Sequence, residues 1–121
     1  HPVVGGERYV LGDLFALPKK FCAAFDVVFE HTCFCAIDPS HRADYVNAVA
    51  SALKPGGHLL AIFYLDPGRD PGESGPPFGV TREELDAFFS PRFTLLRDWK
   101  PPTTYPNREG RETFRLLRLT E

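Results

Sequence analysis

Methionine is absent from the 121 residues, the chain opens on His1, and tryptophan occurs once. A chain without an initiator methionine is expected to begin partway into a longer natural protein. Cysteine is scarce: Cys22, Cys33 and Cys35 are an odd number in a chain that is 43% apolar. That argues against a disulfide framework and for a reducing, cytoplasmic home. Long apolar runs are lacking too. The longest, Leu59 to Leu65, falls far short of the roughly 20 residues that span a bilayer, and no amino-terminal signal-peptide pattern is present, so no membrane partner is expected. Neither sign of charge dominates: 14 basic against 16 acidic residues give a formal net charge of -2, and the basic ones are scattered. This offers no footprint for a nucleic-acid backbone. A small molecule or a protein is the expected partner.

What the chain does have is material for one core, so a single globular unit over residues 1–121 is expected. Tyr9 to Leu11, closed by Gly12 and Asp13, reads as a brief strand and turn. Phe25-Asp26-Val27-Val28-Phe29 is β-branched and aromatic, hence strand-like, and stops at Glu30, His31 and Thr32. Asp38 or Ser40 can cap a helix with Pro39 in its first turn. Tyr45, Val46, Val49, Ala50 and Leu53 then recur on one face until Lys54-Pro55-Gly56-Gly57 ends it. Leu59 to Leu65 is apolar without alternation, as in a strand covered on both faces. Strand, helix and strand make a βαβ unit with parallel strands and a right-handed crossover. The fold class is therefore α/β, with helices on both faces of a mostly parallel sheet.

Asp66 to Gly79 is rich in glycine and proline, the kind of segment from which lids are drawn. Thr81 and Glu84 form a capping box ahead of Leu85, Phe88 and Phe89, with Pro91 closing that helix. Phe93 to Trp99 and Thr113 to Leu119 pair as an antiparallel ribbon at the edge of the sheet. His31, Cys33, Cys35 and His41 are zinc-ligand types, but no second cysteine pair follows, so no metal is expected and the cysteines read as buried small hydrophobes.

The order strand, helix, apolar strand after Lys-Pro-Gly-Gly, helix and terminal antiparallel pair resembles the second half of the Rossmann-like class I S-adenosylmethionine-dependent methyltransferase fold. Gly12-Asp13-Leu14-Phe15, Phe25 to Phe29 and Leu53 to Gly57 are similar to its segments after the third strand, in the fourth and before the fifth. Glu30-His31-Thr32-Cys33-Phe34-Cys35-Ala36-Ile37, then Gly75-Pro76-Pro77-Phe78 and Pro106-Asn107-Arg108-Glu109-Gly110-Arg111-Glu112, resemble the thiopurine, thiol and halide methyltransferases. Glu30, His31 and Cys33 depart from that family's usual Asp, Tyr and Phe. The glycine-rich first strand and turn, and the acidic residue of the second strand, have no counterpart, so the resemblance implies the C-terminal part of a truncated domain.

Ligands of open α/β sheets bind beyond the carboxyl ends of the strands. The resemblance implies that Asp13 accepts a bond from the adenine amino group, that the Leu14 N–H contacts the ring, and that Glu30 and His31 line the cofactor, S-adenosylmethionine, beside the transferred methyl. Without the resemblance, Asp13 reads as a turn-maker. Methyl transfer from a sulfonium is an in-line displacement, governed by positioning, exclusion of water and accommodation of the lost positive charge. Thr32, Phe34, Tyr64, Phe78 and Tyr105 are placed around a small thiol, thiopurine-like or halide acceptor, with ordinary core packing the competing assignment for the aromatic ones. His31 is the candidate catalytic residue, because its ordinary pKa lies near neutrality and suits it to deprotonate a thiol. The competing function is a non-catalytic fragment of the fold: without its usual neighbour, the Phe25 to Phe29 strand becomes an unpaired apolar edge suited to homodimerisation.

Overall fold

The structure, a computed structural model, describes residues 12–65, 78–100 and 111–120. The Tyr9–Leu11 strand, most of the 66–79 segment and Tyr105 lie outside them. The Phe-Asp-Val-Val-Phe run forms β1 (Phe25–His31). Short 3-10 turns follow at Phe34–Ala36 and Pro39–His41, the second capped by Asp38, whose carboxylate accepts the Ser40 N–H at 2.9 Å. The chain then enters α1 (Arg42–Ala52). β2 (Leu53–Tyr64) is followed by α2 (Arg82–Phe89), β3 (Phe93–Trp99) and β4 (Glu112–Leu119).

Helix α1 ends sooner than its periodicity suggests, since Leu53 is already extended and pairs with Phe25. Lys54-Pro55-Gly56-Gly57 then forms an irregularity within β2, and regular pairing resumes at Val27 with His58. Glycine is required here. Gly56 has φ +76, and a Cβ on Gly57 would lie 2.9 Å from the Lys54 carbonyl oxygen and 3.0 Å from that of Asp26. The capping box of α2 forms as expected, with Thr81 Oγ1 accepting the Glu84 N–H at 3.1 Å and Glu84 Oε1 accepting the Thr81 N–H at 3.0 Å.

The sheet order is β1-β2-β4-β3; β1 and β2 are parallel, and β4 is antiparallel to both of its neighbours. The βαβ unit and the terminal ribbon are thus both present. Leu59, Ala61 and Phe63 of β2, with Leu117 and Leu119 of β4, pack under Tyr45, Val46, Val49 and Ala50 of α1 and Leu85 and Phe89 of α2. Fully burying such a side chain contributes about 1.5–3 kcal/mol. Phe34 joins this core through edge contacts to Tyr45 and Phe63, at ring separations of 5.2 and 5.3 Å. Arg115 is buried on the same face, and its Nη1 and Nε reach Asp86 of α2 at 2.7 Å and Asp98 of β3 at 2.8 Å. Thr113 also donates to Asp98. These contacts tie α2 to the ribbon.

Among the described residues, both α-helices lie on this one face. The register puts Val27, Phe29 and His31 beside His58, Leu60 and Ile62 on the opposite face, continued by Arg118, Leu116 and Phe114. Leu60 and Ile62 are half-buried there, so the central strand is fully covered on its helix side only. Trp99 stacks on Phe114 at 4.9 Å, with the Arg97 guanidinium 4.5 Å from the indole. No helix among the described residues is long and apolar enough to cross a membrane.

Candidate active site at the carboxyl end of the sheet

β1, β2 and β3 run the same way, and β4 begins where they end. One end of the sheet therefore collects His31, Tyr64, Trp99 and Glu112. This is where an open α/β sheet holds its ligands.

Alternation along β1 sends Glu30 and His31 to opposite faces. Glu30 goes down toward the helices and is 3% exposed. Its Oε1 accepts the Phe34 N–H at 2.9 Å and the Tyr45 hydroxyl at 2.5 Å, and its Oε2 accepts the Cys33 N–H at 3.0 Å. The carboxylate thus serves as a fastener for the turn after β1. Burial first, and then the charge and hydrogen bond of Glu30, push the Tyr45 hydroxyl well above the usual tyrosine range. His31 goes up to the open face, with Nε2 3.6 Å from Glu112 Oε2.

Thr32 follows with φ +66, a left-handed conformation that is uncommon for a β-branched residue and that gathers at functional sites. Its hydroxyl donates to the His31 carbonyl at 2.6 Å, and the side chain is exposed. The reversal at Thr32 turns Phe34 inward. At 1% exposure, Phe34 is a core residue rather than a wall of the acceptor pocket, which corrects the expectation. Tyr64 closes β2 opposite Glu112 and is buried. Phe78 is half-buried, and its N–H donates to the Cys35 carbonyl at 2.7 Å, which brings it beside the turn after Thr32.

Asp13 is exposed, and its Oδ1 accepts the Phe15 N–H at 2.9 Å, so it does make a turn. Leu14 starts that 3-10 turn (Leu14–Ala16) and packs on the edge of the core. Of the cysteines, Cys35 is buried while Cys22 and Cys33 are exposed, which limits the expected burial to one of them. Although Cys33 is exposed as a residue, partial burial of its thiol, followed by the charges of Glu30 and Cys35, raises that thiol above its ordinary range. No metal-binding cluster occurs among the described residues.

Two residues escaped sequence reasoning. Arg42, 3% exposed, donates from Nη2 to the Gly79 carbonyl at 2.9 Å and the Phe78 carbonyl at 3.4 Å, and sits 5.1 Å from the Phe34 ring. It anchors the backbone that carries Phe78. An arginine in the first turn of an amphipathic helix gives no sign of this. Glu112 is buried at the mouth of the sheet; its parity with Phe114 and Leu116 could have placed it on the open face.

The model of the thiopurine S-methyltransferase family matches residues 4–113. The thiopurine S-methyltransferase of Nitrosospira multiformis is 30% identical over 92% of this chain and 50% of its own length. The bovine thiopurine S-methyltransferase is 35% identical over 64% of this chain and 31% of its own, and the Arabidopsis thaliana thiocyanate methyltransferase 1 is 32% identical over 73% and 38%. The chain thus spans about a third to a half of the curated relatives it matches. A crystal structure of the Burkholderia thailandensis 1,6-didemethyltoxoflavin-N1-methyltransferase, with that compound and S-adenosylhomocysteine bound, superposes with a TM-score of 0.73 at 19% identity, over 94% of this chain and 51% of that one. The fold is the class I methyltransferase sheet, in part. On the family match, the chain belongs to the thiopurine S-methyltransferase family.

Proposed function

We propose that this chain supplies the carboxyl-terminal half of an S-adenosylmethionine-dependent methyltransferase whose acceptor is a small thiol, thiopurine-like compound or halide. The observation that carries the reading is the convergence of His31, Thr32, Tyr64, Phe78 and Glu112 at the carboxyl end of the sheet. The names of the relatives, which include thiopurine and thiocyanate methyltransferases, support the acceptor class.

When bound, S-adenosylmethionine supplies a methyl group on a positively charged sulfur. The chain offers residues that fit it. Asp13 spends one carboxylate oxygen on its turn and keeps the other, on an exposed side chain, for an adenine amino group, with the Leu14 N–H beside it. Glu30 shapes the cofactor wall indirectly, by holding the turn that follows, and His31 lies next to the reacting atoms. The acceptor is flanked by Thr32, Tyr64 and Phe78. His31 takes the proton of a neutral thiol, whereas a halide arrives already nucleophilic and does not need it.

Calorimetric titration with S-adenosylhomocysteine tests the cofactor reading. Micromolar binding would mean that the missing half of the site is replaced by a partner chain, and no binding by a folded chain would mean that the fold is inherited but the cofactor site is incomplete. For the acceptor, His31→Phe is expected to lower kcat for an alkyl thiol by about 100-fold, a general-base contribution, and to leave iodide methylation intact. Undiminished thiol methylation across pH would remove His31 from the mechanism. The outer edge of β1, with Val27 and Phe29 56% and 60% exposed, supports the further proposal that two copies associate there.

A further inference from the structure

Across β2, on the open face, the side chain of His31 meets that of Glu112. His31 is partnered in the ladder by Ile62 and Glu112 by Tyr64, so the two side chains meet one register step apart above the end of the central strand. Nε2 and Oε2 are 3.6 Å apart, with the imidazole 27% exposed and the carboxylate side chain 3% exposed. That separation exceeds a good hydrogen bond but lies within ion-pair range. A carboxylate withdrawn this far from water is costly unless a cation or donor compensates it. Among the described residues, Tyr64 of β2 is the ladder partner of Glu112 and Arg111 precedes Glu112 in the chain, while Glu30, the chain neighbour of His31, is bonded on the far side of the sheet.

We infer that Glu112 is a positioning residue for His31: its carboxylate fixes the ring and stabilises the imidazolium formed when the acceptor thiol is deprotonated. The inference rests on the methyltransferase reading above and deepens it, because it equips the site for thiols that are neutral when they bind. The S–H bond of the acceptor breaks and its proton passes to His31. The thiolate then forms the new S–CH3 bond while the sulfonium carbon–sulfur bond breaks, its electron pair staying on the cofactor sulfur. The imidazolium, held against Glu112, releases its proton to solvent. The thiolate and sulfonium charges cancel in the transfer, while the His31–Glu112 pair goes from a net charge of -1 to neutral and back as the proton arrives and leaves.

The test compares Glu112→Gln and Glu112→Asp with the parent on an alkyl thiol, on an aromatic thiol already ionised at neutral pH, and on iodide. Glu112→Gln is expected to lower kcat for the alkyl thiol by about tenfold at neutral pH, with the other two acceptors unchanged. The deficit closes as pH rises and the alkyl thiol ionises by itself, near its ordinary pKa of about 8.5. Glu112→Asp, which keeps the charge, restores most of the rate. Equal losses on all three acceptors would mean that Glu112 only supports the fold, and an unchanged alkyl-thiol rate would mean that it has no role; either overturns the inference. The nitrogen resonances of the His31 ring provide a readout without turnover: in Glu112→Gln the Nε2 resonance should move, because that nitrogen loses the carboxylate 3.6 Å away. If the ring is unaffected, the inference fails; if the ring responds but no acceptor is methylated by the parent, the methyltransferase reading fails instead.

Discussion

Glu30 and Glu112 stand at the same end of the sheet on opposite faces, and their surroundings give them different tasks. Glu30 accepts from two backbone N–H groups and the Tyr45 hydroxyl in the core, which makes Tyr45 the residue through which alkali would undo the site. The Tyr45 pKa is raised in the folded chain, so its contribution is complete below the unfolded value of about 10 and is lost as pH rises above it. Tyr45→Phe is expected to cost about 1.5 kcal/mol at neutral pH, as a hydrogen bond to a charged group, and to flatten the alkaline limb in urea unfolding curves taken from pH 7 to 11. The direction of Glu30 was legible in principle, since it shares parity with Val28, which packs on the core. That of Phe34 was not. It depends on the left-handed turn at Thr32, and no spacing rule anticipates a threonine there.

At the scale of elements, apolar pattern and capping residues located β1, both helices and the terminal ribbon, because each is specified by its own neighbours. The boundary between helix and strand around Lys54 to Gly57 is not legible in the sequence because proline and glycine end a helix and kink a strand equally well; only pairing with Phe25 and Val27 decides between them. The placement of α2 over the ribbon depends on Asp98, Arg115 and Asp86, which are distant in sequence. Burial disfavours the Asp98 carboxylate, but Thr113, Arg115 and Arg82 outweigh it and leave its pKa below the ordinary range. A depressed carboxylate pKa contributes stability above the unfolded value of about 3.9, and that contribution is lost as pH falls through the folded value. Asp98→Asn leaves Arg115 buried with one acidic partner and is expected to cost about 3 kcal/mol at pH 7. In thermal unfolding, the gap from the parent should narrow below pH 4.

For the whole molecule, the exposed apolar row on β1 is the surface through which association is proposed. Phe25, Val27 and Phe29 flank a strand whose outer hydrogen-bonding edge has no neighbour among the described strands, and such edges are templates for further pairing. Phe29→Lys places a charge there without touching the helix-side core. It is expected to shift the light-scattering mass toward the monomer while the circular dichroism stays unchanged; a mass identical to the parent's would assign association to another surface. The order β1-β2-β4-β3 has a separate consequence. Among the described residues, every ladder joins strands that lie between Phe25 and Leu119. A covalent break ahead of Gly12 would cut none of these ladders, which makes the stretch a transplantable module. In the methyltransferase proposed above, this module is the half that an amino-terminal fragment would complement along β1.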